Sequence, residues 1–385
     1  MTQPPQSGPW GAQPPQQPGN WQGYPGGQHG PGPRGQWNPQ QQWPNPAPAP
    51  QKKGPLKWIL GAIALIAVIA VTAVVAVSCA GGNGSNNGNG GGIPSPGSKS
   101  DIASANDTGP VSVITEDPSC APWNPIATTV ANAEKNGWTQ IDHSIPATAW
   151  TPEMRTQYQA VGEALKSAAN EVVPLVKLTT HRVMRELYSQ YIAYIRYYSD
   201  RIPQYVAADN DAIRVGSTLG DTITGICQAI SFGSAASRAP FVPAGAAPDN
   251  IAPAGDTQNP SRFLTAADSQ CTDWRTTVDQ LNSDPAYSAW NKEDPSIPAS
   301  SWSPEYKTEN ISVMPVLLRF ADAYEKLARQ NPNPIIQDFG ILAAQYGRAF
   351  VKAIPTYTQA DSNLYDVFRK IPAVITAACK VAGDR

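Results

Sequence analysis

The first hundred residues contain no aspartate or glutamate, and the whole chain has only three histidines. These scarcities remove several kinds of chemistry at once. His29, His143 and His181 form no HxxxH or HxxE pairing, so the usual helical metal-ligand spacing is missing. No GxSxG or CGxC-type setting surrounds a serine or cysteine, and no P-loop or helix-opening GxGxxG occurs. No motif calls for a catalytic residue, a metal or a cofactor. Nucleic-acid binding lacks its electrostatic footprint, since 28 basic residues face 30 acidic ones. Strand-like alternation bounded by hairpin turns is also absent, which leaves helices to carry the fold.

What is present falls into unlike regions. Residues 1–57 are largely Pro, Gln and Gly, with Trp10, Trp21, Trp37 and Trp43 scattered among them. Such a segment has too few aliphatic side chains for a core and reads as disordered or polyproline-like. Residues 58–80 carry no charge and are mostly Ile, Leu, Val and Ala. About 20 such residues span the bilayer's hydrocarbon core. A single transmembrane helix is therefore expected, with Trp58 at the interface. Lys52, Lys53 and Lys57 precede it and no basic residue follows until Lys99. The positive-inside rule then places the tail in the cytoplasm and the rest outside the plasma membrane. A cleaved signal peptide is the weaker reading, because about 57 residues precede the apolar run. A lipoprotein reading would use Cys79 after Ala76-Val77-Ser78. Residues 81–117 read as a flexible linker, rich at first in Gly, Asn and Ser.

Beyond the linker the chain repeats itself. Cys120-Ala-Pro-Trp123 returns as Cys271-Thr-Asp-Trp274, and Trp138 returns as Trp290. Ile145-Pro-Ala-Thr-Ala-Trp150-Thr-Pro-Glu153 returns as Ile297-Pro-Ala-Ser-Ser-Trp302-Ser-Pro-Glu305. Ile202-Pro203 returns as Ile354-Pro355, and Cys227 as Cys379. A near-constant spacing over this length means a duplicated unit. The copies are expected at 118–232 and 261–385, with an Ala/Pro/Gly-rich connection at 233–260.

Inside each copy the apolar period is helical. Thr151-Pro152-Glu153 and Ser303-Pro304-Glu305 combine a hydroxyl cap, a proline at the first helical position and an acid in the first turn. Further helices are predicted over 183–202 and 335–354, each stopped by a proline, and a last one ends at Cys227 or Cys379. Four external cysteines allow three pairings. Repeat symmetry selects Cys120–Cys227 and Cys271–Cys379, because each copy then closes on itself. The expected fold is all-α: two tandem homologous four-helix units, each closed by one disulfide, outside a single transmembrane helix.

The repeat also sorts candidate sites, since what both copies keep is expected to serve the fold. The matched tryptophans read as packing, with Trp150 and Trp302 stapling the first turn of a helix. Glu153 and Glu305 are explained by the helix N-termini. One asymmetry stands out. Tyr188, Tyr191, Tyr197 and Tyr198 lie on one helix of the first copy where the second has Gly340, Ala343, Ala349 and Phe350. Tyr194 alone is matched, by Tyr346. The four unmatched tyrosines form either a recognition surface, which tyrosine favours, or a packing seam against the second copy or the connection. In the tail, the tryptophans and Pro44–Pro50 offer weak docking motifs for a cytoplasmic partner.

A Pro/Gln/Gly-rich tail, one membrane helix and a Cys-x-x-Trp … Ile-Pro-Ala-x-x-Trp-[ST]-Pro-Glu … Ala-Asp … Cys helical domain resemble mycobacterial and related actinobacterial single-pass membrane proteins of uncharacterised function. The resemblance implies a cell-envelope setting and transfers no functional residues. The favoured reading is a non-catalytic, membrane-anchored scaffold or binding protein, with envelope proteins or lipids as external partners. An extracytoplasmic ligand sensor is the alternative. An envelope hydrolase or transferase would require carboxylates of the two copies to converge in a cleft.

Overall fold

The computed structural model describes residues 101–135 and 137–383. The tail and the membrane helix expected at 58–80 lie outside the described residues. Among the described residues no helix is long and apolar enough to cross a membrane. They form ten α-helices and no strand: α1 Cys120–Glu134, α2 Pro152–Leu178, α3 Arg182–Arg201, α4 Asn210–Ser231 and the short α5 Ser234–Arg238, then α6 Cys271–Ser283, α7 Pro285–Trp290, α8 Pro304–Gln330, α9 Pro334–Ala353 and α10 Ser362–Val381.

The local signals act as their chemistry requires. The Thr151 hydroxyl accepts from the Met154 N–H, and the Ser303 hydroxyl accepts from the Tyr306 N–H. Each cap is followed by proline at the first helical position. Pro203 and Pro355 turn the ends of α3 and α9 into single 3₁₀ turns at Ile202–Gln204 and Ile354–Thr356. Asp209 and Asp361 then accept from the backbone N–H of Val206 and Thr358, three residues back, and so launch α4 and α10. Cys120 is bonded to Cys227 and Cys271 to Cys379, joining first helix to last in each copy.

In the first copy α1, α2, α3 and α4 pack in sequence, with α1 returning to α4; in the second, α6, α8, α9 and α10 do the same. The copies meet along α4 and α10, and α3 also touches α9. Their buried side chains form one continuous core, and residues 101–383 fall in one compact unit. The copies are thus halves of one body.

Two segments read as loose from sequence are packed. Residues 101–117, assigned to the flexible linker, bury Ser104, Val111, Val113 and Ile114. Their apolar residues complete the core, and arginines of α3 hold their backbone. The connection at 233–260 forms α5 and buries Ala235, Val242 and Ala252. Arg238 of α5 donates twice to the Asp361 carboxylate, both at 3.2 Å, which ties the connection to the second copy.

Paired positions in the two copies exchange large and small residues. In the first, Ile195 on α3 lies against Gly216 on α4, where an added Cβ would stand 2.5 Å from its side chain. In the second, the matching positions are Gly347 and Phe368, and a Cβ on Gly347 would stand 2.5 Å from the ring. The larger residue has moved to the opposite helix, so each site is filled in its own way.

Candidate functional site

The same exchange explains the tyrosines. Tyr188 packs on Trp123 with ring centroids 5.8 Å apart, and Tyr191 meets the same indole at 5.3 Å. In the second copy Trp274 instead stacks on Tyr324 of α8, which stands where the first copy has Val172. Gly340, at the Tyr188 position, leaves the room: a Cβ there would approach Trp274 to 2.9 Å. Each copy places an aromatic ring on its tryptophan, from a different helix.

Tyr188, Tyr191 and Tyr198 are therefore core residues, each at most 3 % exposed. Both readings of these three are corrected: they are no recognition surface, and Tyr188 and Tyr191 pack on Trp123 of their own copy, filling space that the second copy fills otherwise. Tyr194 is buried as well, against Phe263. Tyr197 alone keeps partial exposure. The Arg262 guanidinium lies 3.9 Å from its ring centroid and that of Arg201 5.3 Å. It lines a groove of ≈ 510 Å³ with Arg201, Asp209, Asp211, Arg275 and Lys380. Among the tryptophans, Trp123, Trp138, Trp150 and Trp274 are buried, and Trp290 and Trp302 are half-buried.

The most unusual arrangement is one that no motif marks, a charge cluster between the copies. Arg182 opens α3 almost fully buried, and its Nε and Nη2 donate to Asp338 Oδ2 and Oδ1 on α9 at 2.7 and 3.1 Å. Nη1 also donates to the carbonyls of Asp107 at 2.7 Å and Gly109 at 3.2 Å. Arg185 donates to the Ser104 carbonyl at 2.9 Å and reaches the Ala252 carbonyl at 3.5 Å. Two arginines thus fasten the leading segment, the connection and both copies together.

Beside them lies Glu186, buried, with neither carboxylate oxygen holding a hydrogen-bond partner. Glu186 and Asp338 occupy equivalent positions in the two copies, so the duplicated helix brings one acidic position against itself. Burial, and next the Asp338 charge, push the Glu186 carboxyl well above the usual carboxylate range, while Arg185 and Arg182 oppose this. Carboxyls of the two copies do converge, as a hydrolase would need, but inside the core and not in a cleft.

The sign of the pH effect follows. An acid with a raised folded-state pKa leaves the native state protonated while the unfolded chain ionises. Stability from Glu186 is whole below the unfolded carboxylate value of about 4.3 and declines as pH rises toward the folded value. The loss approaches about 1.4 kcal/mol per pH unit for one proton. Glu134, pushed up to about 7 by burial and then by Asp221, adds a similar loss that ends near that pH. Glu186→Gln is expected to leave the melting temperature nearly unchanged at pH 4 and raise it at pH 8. Calorimetry at both pH values checks this, and equal shifts would rule it out.

No group of three or more His, Cys, Asp and Glu able to hold a metal ion occurs among the described residues. The arrangement of the body, from the leading segment to the second disulfide, has a counterpart among known sequences. A family model described as "Mycobacterial ESX-1 associated protein" matches residues 102–383. The chain belongs to this family. The matched span covers both copies, the leading segment and the connection, so the ESX-1 associated family unit is the whole fused body. An uncharacterised protein of Mycolicibacterium smegmatis (strain MKD8) is 42 % identical over 348 residues, covering 90 % of this chain and 92 % of the relative. No solved structure matches. Both matches are mycobacterial, as the resemblance implied, and neither carries a catalytic description.

Proposed function

We propose that this ESX-1 associated family member is a non-catalytic scaffold or binding protein of the cell envelope, held by a membrane helix at 58–80 and acting with ESX-1 components. The observation that carries the reading is the tie made by Arg182 and Arg185, which fixes residues 104–109 against both copies. A chain leaving the membrane then joins the body at a rigid point, and partners meet a fixed surface. The tail at 1–57 lies on the cytoplasmic side in this reading. A ligand sensor, the second reading, would use the groove beside Tyr197.

In-cell crosslinking and affinity purification test both readings on the full-length protein, a version lacking residues 1–51, and Tyr197→Ala. Tyr197 is the appropriate target, because truncating the buried tyrosines would open cavities. Full-length protein is expected to capture ESX-1 components above the level of an unrelated membrane protein. Capture of none sinks the scaffold reading. Loss confined to Tyr197→Ala locates the contact at the groove.

A further inference from the structure

The outer face of α8 is apolar where a solvated helix should be polar. Ile311 is 54 % exposed and Leu318 37 %, with Met314 half-buried and Pro315 exposed between them. Spacings of three and four place all of them on one side of the helix. The first copy is the control. At the positions of Ile311, Pro315 and Leu318, α2 carries Gln159, Glu163 and Lys166, all exposed. The fold therefore does not require this stripe.

The charges at its ends indicate what covers it. Lys307 lies on the same side one turn before Ile311, and Asp322 one turn after Leu318; both are exposed. Consider two α8 helices side by side, antiparallel, with the crossing point between Met314 and Pro315. Ile311 then faces the second copy's Leu318, and Met314 faces its Pro315. In the same register Lys307 faces the second copy's Asp322, and a two-fold axis makes each contact occur twice. Asp322 already receives Arg348 Nη2 at 2.6 Å, yet its side chain is 69 % exposed and has lone pairs to spare. A parallel pair in register would set Lys307 against Lys307 and Asp322 against Asp322. The first copy has Arg155 and Asn170 at the matching positions, so its helix lacks the charge pairing as well as the apolar centre.

We propose that α8 is a self-association face, on which two copies of this chain pair antiparallel through Ile311, Met314, Pro315 and Leu318, with Lys307–Asp322 at either end. The face is about 24 Å long at 1.5 Å per residue. One helix from each copy falls short of the roughly 1,600 Å² of a standard interface. Pairing is accordingly weak and depends on local concentration.

Cysteine crosslinking of the full-length chain in cells suits weak pairing. In a Cys79→Ser background, Pro315→Cys is compared with Glu163→Cys, the equivalent position of the first copy. Pro315→Cys is expected to give a disulfide-linked dimer on non-reducing gels, and Glu163→Cys a monomer. Adding Leu318→Asp sets two charges in the apolar seam and abolishes the dimer. Lys307→Asp lowers its yield by roughly two- to fivefold, as loss of exposed ion pairs does. The charge exchange Lys307→Asp with Asp322→Lys restores it, which a merely structural role would not do. A monomer from Pro315→Cys, an adduct with a different protein, or a dimer indifferent to Leu318→Asp and the charge exchange each overturns the proposal.

Discussion

Arg182→Ala is expected to destabilise the folded body by about 3–5 kcal/mol, the cost of breaking a buried ion pair from one side. The guanidinium makes both bonds to Asp338 and holds the carbonyls of Asp107 and Gly109. Its loss leaves a fully buried aspartate beside Glu186 with no cation bonded to it. Glu186, already held well above the usual carboxylate range by burial and the Asp338 charge, then loses one of the two cations that oppose this. Arg182→Ala is thus expected to be less damaging at pH 5 than at pH 8. Denaturant titrations at the two pH values check both parts. A loss below about 1 kcal/mol would equal that of an exposed pair, and the rigid-tie account would fall with it. Arg182→Lys tests the fork geometry, since one ammonium cannot replace two parallel N–H groups plus two carbonyl contacts.

Gly347→Ile is expected to cost about 3 kcal/mol, because it drives a branched side chain into the Phe368 ring across two packed helices. The informative variant is the double one. Gly347→Ile with Phe368→Gly rebuilds in the second copy the arrangement that Ile195 and Gly216 have in the first. It is expected to recover more than half of the single variant's loss, despite the roughly 1 kcal/mol that a glycine costs within a helix. Thermal unfolding of the two single variants and the double variant gives the coupling directly. Additive losses would mean that the exchange of large and small residues is incidental.

The skeleton of the fold was legible because its signals are local. Thr151-Pro152-Glu153, Ser303-Pro304-Glu305 and the prolines at 203 and 355 act within a turn of themselves. Repeat symmetry then sufficed to pair the cysteines. The fusion of the copies was not legible, because α4 and α10 are apolar on the sides they share and periodicity alone does not name a partner. Residues 101–117 misled for a related reason. Val111, Val113 and Ile114 have no helical or strand period, and the arginines that hold the segment at Ser104, Asp107 and Gly109 lie more than 70 positions away from those residues. The tyrosines show the limit of comparing copies. A residue present in one copy only can still serve the fold: Tyr188 and Tyr324 perform one packing task from different helices. Arg182 and Glu186 have Pro334 and Asp338 as counterparts, so nothing in either copy alone marks a charge cluster formed between them. The stripe on α8 was visible as apolar residues, and its exposure needed the helix to be placed.

The exchanged residues bear on how a duplicated chain reaches the right pairing. While the chain is still finding its partners, α3 can meet α10 in place of α4, and α9 can meet α4 in place of α10. The first error sets Ile195 against Phe368 and jams two large side chains together. The second sets Gly216 against Gly347 and leaves a void. Both mistakes raise the energy of the wrong partner while the correct pairs stay filled. The divergence of the two copies thus acts as an address, telling each half of the molecule which helix is its own.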